Sequence, residues 1–182
     1  MDETLGRALL TLARTTIRAH LAGESSPGLP DVEGADGPCS GGFVTLRKKG
    51  RLRGCMGRFK PAGNLAETIQ QVALTVLEDP RFVSTPVTLD ELGEIALEIS
   101  ALSPMVRTDD PLSLELGVHG IYIRKGSRSG CFLPQVATEQ GWDIERFLSR
   151  CCEGKAGLPA DAWKEPEAEV YLFTADVVTE TK

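Results

Sequence analysis

The chain has 182 residues, of which 41% are hydrophobic, 25% charged and 5% aromatic, so one domain can bury about 70% of its unfolded surface without a metal or disulfide staple. A net charge of -6 argues against nonspecific binding of the whole molecule to nucleic acid or an anionic membrane, without excluding a local nucleic-acid contact. Five cysteines and two histidines, with no C-x-x-C pair, no secretory signal and no apolar run of about eighteen residues, point to reduced thiols in the cytoplasm, no membrane span and no metal site.

Leu5, Leu9, Leu12, Ala13, Ile17 and Leu21 recur at three- and four-residue steps, which predicts an amphipathic helix over residues 3–21. Residues 23–41, rich in Gly, Pro and Ser, read as an irregular surface connection. Two strands follow, residues 43–47 and 51–59, forming a hairpin. Gly at the last position of a three-residue Lys48-Lys49-Gly50 loop would place Thr45 opposite Arg53 and Phe43 opposite Cys55. Val44, Leu46, Leu52, Gly54 and Met56 then share an apolar face, and Arg53, Cys55 and Gly57 the polar one.

Asn64 with Glu67 three residues on is a capping box that opens a second helix, ended by Asp79-Pro80. Arg81-Phe82 either pins the following loop or reaches into a site. Ile95, Leu97, Ile99 and Ala101 alternate with polar positions and predict a strand, in which Glu98 is a candidate base or partner of Arg53 if this strand adjoins the hairpin. An acidic turn region follows, and residues 103–117 are the best internal boundary in what is otherwise a single domain over 1–182. A second hairpin spans residues 121–133, Asp143 caps a helix running to about Cys152 with Trp142 stapled onto Phe147, and residues 170–178 form one final strand.

Three features carry candidate chemistry. Gly54 and Gly57 inside a strand weaken it unless backbone or a ligand approaches closely, so residues 52–57 are a site candidate. Arg47, Lys48, Lys49, Arg51, Arg53, Arg58 and Lys60 form a basic island without an acid between Asp36 and Glu67, suited to an anionic ligand. His119, between Gly117 and Gly120, can exchange protons near neutral pH.

Taken together, Leu52-Arg53-Gly54-Cys55-Met56-Gly57, Asp79-Pro80-Arg81-Phe82, Gly117-Val118-His119-Gly120-Ile121, Leu133-Pro134-Gln135-Val136 and Gly141-Trp142-Asp143 make the chain resemble the AMMECR domain family, protein A of the AmmeMemoRadiSam system. Met56 stands where that family usually has isoleucine. The resemblance implies an α+β fold of antiparallel sheets with flanking helices, two unequal lobes, and a cleft near the hexapeptide. It also implies a Memo-type protein and a radical-SAM enzyme as associates, and supplies neither a reaction nor a cofactor.

Two functions follow from the residues. In the first, Cys55 is a nucleophile, His119 its acid-base partner, and Arg53, Gly54, Gly57, Arg81 and Glu98 surround an anionic substrate. In the second, the same surface is a non-catalytic binding module. A metal held by Cys55, His119 and a carboxylate such as Glu98 ranks behind both.

Overall fold

The computed structural model describes residues 1–59 and 63–180. In chain order the elements are α1 (Glu3–Leu21), β1 (Gly41–Lys48), β2 (Arg51–Arg58), α2 (Leu65–Thr75), β3 (Ile95–Leu102), β4 (Val106–Thr108), β5 (Gly120–Lys125), β6 (Arg128–Phe132), α3 (Gln135–Gln140), α4 (Ile144–Cys151), β7 (Glu169–Phe173) and β8 (Ala175–Thr179), joined in places by single helical turns. The fold is α+β, with two four-stranded sheets. Contacts divide the chain into two compact units: Met1–Leu102 with the C-terminal strand from Asp176, and Ser103–Ala175. No helix among the described residues is long and apolar enough to cross a membrane.

In the first unit the strand order is β2-β1-β3-β8. Val44 and Leu46 of β1 and Ile95, Leu97 and Ile99 of β3 are fully buried, in one core with Leu9, Ala13 and Ile17 of α1 and Ile69, Val72 and Ala73 of α2. Each buried Val, Leu or Ile side chain contributes about 1.5–3 kcal/mol, which is why the alternation in the strands and the three-to-four spacing in the helices dictate how they pack. The helix starts are locally encoded. Asp2 accepts the Leu5 N–H, and Asn64 and Glu67 form the expected reciprocal box.

The hairpin register departs from the expected one. Lys48 pairs with Arg51 across a two-residue turn in which Lys49 and Gly50 both have positive φ, 50° and 76°. This mirror-image turn matches the right-handed strand twist, and that gain outweighs the cost of holding a lysine left-handed. Arg47 pairs with Leu52 but Leu46 pairs with Gly54, so Arg53 is an extra residue in a β-bulge. Beyond the bulge Val44 and Leu46 share a face with Gly54 and Met56, as the apolar pattern predicts. Before it, Leu52 is turned outward and is 38% exposed. Leu52→Ser is therefore expected to change the unfolding free energy in urea by less than about 0.5 kcal/mol. A loss above 2 kcal/mol would put Leu52 back in the core.

The second unit has strand order β4-β7-β5-β6, all neighbours antiparallel. Ile121, Ile123 and Val170 pack with Phe147, Leu148 and Cys151 of α4. Asp143 caps α4 as expected, and Trp142 and Phe147 both meet Phe132, at ring separations of 5.8 and 5.6 Å. The single last strand predicted from the sequence is two strands in different sheets, interrupted at Thr174. There the Thr174 carbonyl accepts the Ser103 N–H and the Ser103 hydroxyl accepts the Thr174 N–H. Residues 135–140 form the short α3, ended by Gly141 in the left-handed conformation.

Candidate functional site

β2 is an edge strand, so alternate residues turn their backbone N–H and C=O away from β1 and need partners elsewhere. At Cys55 both groups are taken by one short segment. The Cys55 N–H donates to Asp79 Oδ2 at 2.9 Å, and Arg81 Nη2 donates to the Cys55 carbonyl at 3.0 Å. Asp79 also accepts the Arg81 N–H at 3.0 Å, Arg81 Nε at 2.9 Å and Arg81 Nη2 at 2.6 Å. Pro80 begins the helical turn that Asp79 caps, and its fixed φ pre-sets that geometry. Asp79 is only 2% exposed. Hydrogen bonds from the Arg81 side chain, outweighing burial, hold its carboxyl well below the usual carboxylate range, and Asp79 in turn raises the Arg81 guanidinium.

The thiol itself is half-buried. Thr45 lies opposite Cys55, is almost fully buried, and donates its hydroxyl to Cys55 Sγ at 3.3 Å. Glu98 lies opposite Thr45 on the other side of β1. Cys55, Thr45 and Glu98 thus form one cross-strand row on one face of the sheet, the arrangement in which neighbouring side chains interact. The guanidinium that meets Cys55, through its backbone carbonyl, is that of Arg81.

Arg53, expected beside the thiol, is instead engaged within the fold. Its Nε and Nη2 donate to Glu91 at 2.8 and 3.0 Å, and Nη2 donates to the Thr85 carbonyl at 2.7 Å. Among the described residues its buried Nη1 has no hydrogen-bond partner. Hydrogen bonds from Arg53, then Lys48, hold the Glu91 carboxyl below its ordinary value. The Phe82 ring lies under both guanidiniums, 5.6 Å from Arg53 and 5.9 Å from Arg81, a favourable cation–π geometry. Arg81-Phe82 therefore pins its loop to the strand edge, the first of the two roles open to it from the sequence.

The two glycines have packing causes. Gly54 is buried and faces the core, where a Cβ would sit 3.2 Å from the Val76 carbonyl oxygen, and at Gly57 a Cβ would sit 2.1 Å from the Phe43 ring. At both positions the space a Cβ would need is filled by the protein's own atoms. His119 belongs to the second unit, and its Nδ1 accepts the Glu115 backbone N–H at 3.0 Å. The basic island is partly neutralised by acids distant in sequence: Lys48 meets Glu91 and Glu94 at 3.3 and 3.5 Å, and Lys49 meets Glu94 at 3.6 Å. Arg47 and Arg51 are exposed. Lys60 lies outside the described residues.

Sequence reasoning missed Asp79, Thr45 and Glu91. Asp79 had a usable signal, because an Asp before Pro-Arg caps its own turn and leaves the second carboxylate oxygen free to accept elsewhere. Glu91 had none, since it pairs with Arg53 across 38 positions. Among the described residues no three His, Cys, Asp or Glu side chains gather where a metal could be held.

Comparisons with known proteins agree with this architecture. The chain is 41% identical over 183 residues to a protein of Methanothermobacter thermautotrophicus, covering 96% of this chain and 94% of that one. It is 36% identical over 192 residues to a Pyrococcus furiosus protein, covering 99% and 90%. The crystal structure of an uncharacterized protein from Pyrococcus horikoshii superposes with a TM-score of 0.84 at 35% identity, over 99% of this chain and 93% of that chain. The AMMECR1 family model matches residues 10–178, and the chain belongs to the AMMECR1 family.

Proposed function

We propose that the chain is a thiol-dependent enzyme in which Cys55 attacks an anionic substrate. The observation that supports this reading is the combination at Cys55 of a backbone clasped through both its N–H and C=O with a half-buried side chain that receives a hydroxyl donor. A nucleophile held by locked neighbours needs little reorganisation to react. The Thr45 hydroxyl, within hydrogen-bond reach of the sulfur, holds it in one orientation, and Arg81, 54% exposed, offers positive charge to the substrate. Glu98, in line through Thr45, is the acid-base candidate within the same sheet.

Alkylation by iodoacetamide, followed cysteine by cysteine by mass spectrometry, tests this. Burial pushes the Cys131 and Cys151 thiols up and encloses Cys152, so these three are expected to label slowly. Cys55 is expected to label fastest, faster than glutathione at the same pH, and Thr45→Val is expected to slow it several-fold. If Cys55 reacts no faster than glutathione, the nucleophile reading falls.

A second reading, a non-catalytic adaptor for a Memo-type protein and a radical-SAM enzyme, draws on the hairpin tip. Arg47 and Arg51 are exposed and make no ion pair among the described residues. Binding of such a partner that survives Cys55→Ser and is lost in Arg51→Glu would favour it.

A further inference from the structure

The second unit carries a depression of about 320 Å³ lined by Pro104, Val106, Arg107, Thr108, His119 and Leu172, among others. It has the make-up of a small-molecule site, mostly apolar walls with a few polar groups. Val106 is 67% exposed there. The volume is the share of about ten waters in the liquid.

Three observations specify what would fit. The His119 ring is fixed: the Glu115 N–H donates to Nδ1 at 3.0 Å, while the His119 and Val118 N–H groups donate to the Glu115 carbonyl at 2.9 and 3.2 Å. A ring nitrogen that accepts carries no proton, so the neutral imidazole has its proton on Nε2. Among the described residues Nε2 has no partner. Arg107 is only loosely paired, 3.9 Å from Glu169 and 55% exposed, because Glu169 is held by Arg124 at 2.5 Å. The depression is thus lined by a histidine whose ring is oriented through Nδ1, a loosely paired arginine and an exposed valine. Stapling of the Glu115–His119 turn accounts for Nδ1 and leaves Nε2, Arg107 and the exposed Val106 without a role.

We propose that this depression binds a small organic anion, a carboxylate carried on an apolar body. Arg107 and His119 Nε2–H hold the carboxylate, and Pro104, Val106 and Leu172 cover the body. Guanidinium and imidazole N–H donors make the charge-assisted hydrogen bonds that carboxylates accept best. His119, expected from the sequence to serve Cys55, has in this reading a binding role that needs no thiol.

Benzoate, benzamide and inorganic phosphate are the probes. In proton–carbon correlation spectra of the full chain, benzoate is expected to shift the His119 Cε1–H resonance saturably and leave His20, the other histidine, in place as an internal control. Arg107→Met should raise the benzoate Kd at least tenfold, the loss of one charge-assisted hydrogen bond. His119→Asn puts an amide oxygen near the Nδ1 position, keeping an acceptor for the Glu115 N–H while removing Nε2–H. It should weaken binding similarly, read from the Val106 methyl resonances. Benzamide and phosphate should each bind at least tenfold more weakly than benzoate. The proposal is overturned if benzoate produces no saturable shift at millimolar concentration, or if either variant binds as tightly as the native chain. Equal affinity for benzamide would remove the anion from the argument, and equal affinity for phosphate would remove the apolar body.

Discussion

Asp79→Ala is expected to lower the unfolding free energy by about 2–4 kcal/mol, measured by urea titration. The substitution strips acceptors from the Cys55 N–H and the Arg81 N–H at a position that is 2% exposed. Arg81 is 54% exposed and regains water, so its charge is not stranded, and the loss falls at the lower side of that for a broken buried pair. The amide of Cys55 should exchange faster with solvent than in the native chain, because the edge of β2 loses its cover. The pH dependence has a definite sign. The folded Asp79 carboxyl lies below its unfolded value of about 3.9, so on acidification the unfolded chain takes up the proton first. Its contribution is complete above about pH 5 and is lost as pH falls below about 4 toward the folded value. Asp79→Ala should therefore destabilise strongly at pH 7 and progressively less at low pH. A variant as stable as the native chain at pH 7 would show that the clasp does not hold the strand edge.

Gly57→Ala is expected to cost about 2–3 kcal/mol, because its Cβ would lie 2.1 Å from the Phe43 ring. That ring is partly buried and packs edge-on against Phe59 at a separation of 5.1 Å, so it cannot swing aside without losing a second contact. In a double-mutant cycle Phe43→Ala should relieve the clash, making the pair less destabilised than the sum of the single variants by about 1 kcal/mol or more. An additive cycle would mean that the glycine is not there for the ring. Full stability with loss of Cys55 labelling would point instead to a ligand approaching at Gly57.

These two experiments bear on the same strand from opposite sides, and both turn on partners that the hexapeptide does not contain. Residues 52–57 read, in isolation, as a cation beside a thiol with glycines that admit a ligand. In the fold the bulge sets Arg53 against Glu91, the glycines lie against Val76 and Phe43, and the cation bound to the Cys55 backbone is Arg81. What remains for chemistry is the half-buried thiol, the buried Thr45 hydroxyl that donates to it and the exposed part of Arg81.

The amino-acid sequence by itself determined α1, α2, β1, β3, both hairpins and the start of α4, because helix and strand periodicity, capping boxes and alternation are properties of neighbours in the chain. It also set which face of β2 meets the core beyond Arg53, since Met56 and Gly54 must join Val44 and Leu46 whatever the turn. Only the tertiary structure decided the two-residue turn with its bulge, the split of the last strand at Thr174, and the partners of Cys55, Arg53 and Gly57. Those depend on Asp79, Glu91 and Phe43, which reach β2 from 24, 38 and 14 positions away. Side-chain hydrogen bonds and close packing act over a few ångströms in space, and no local pattern records which distant residue arrives there.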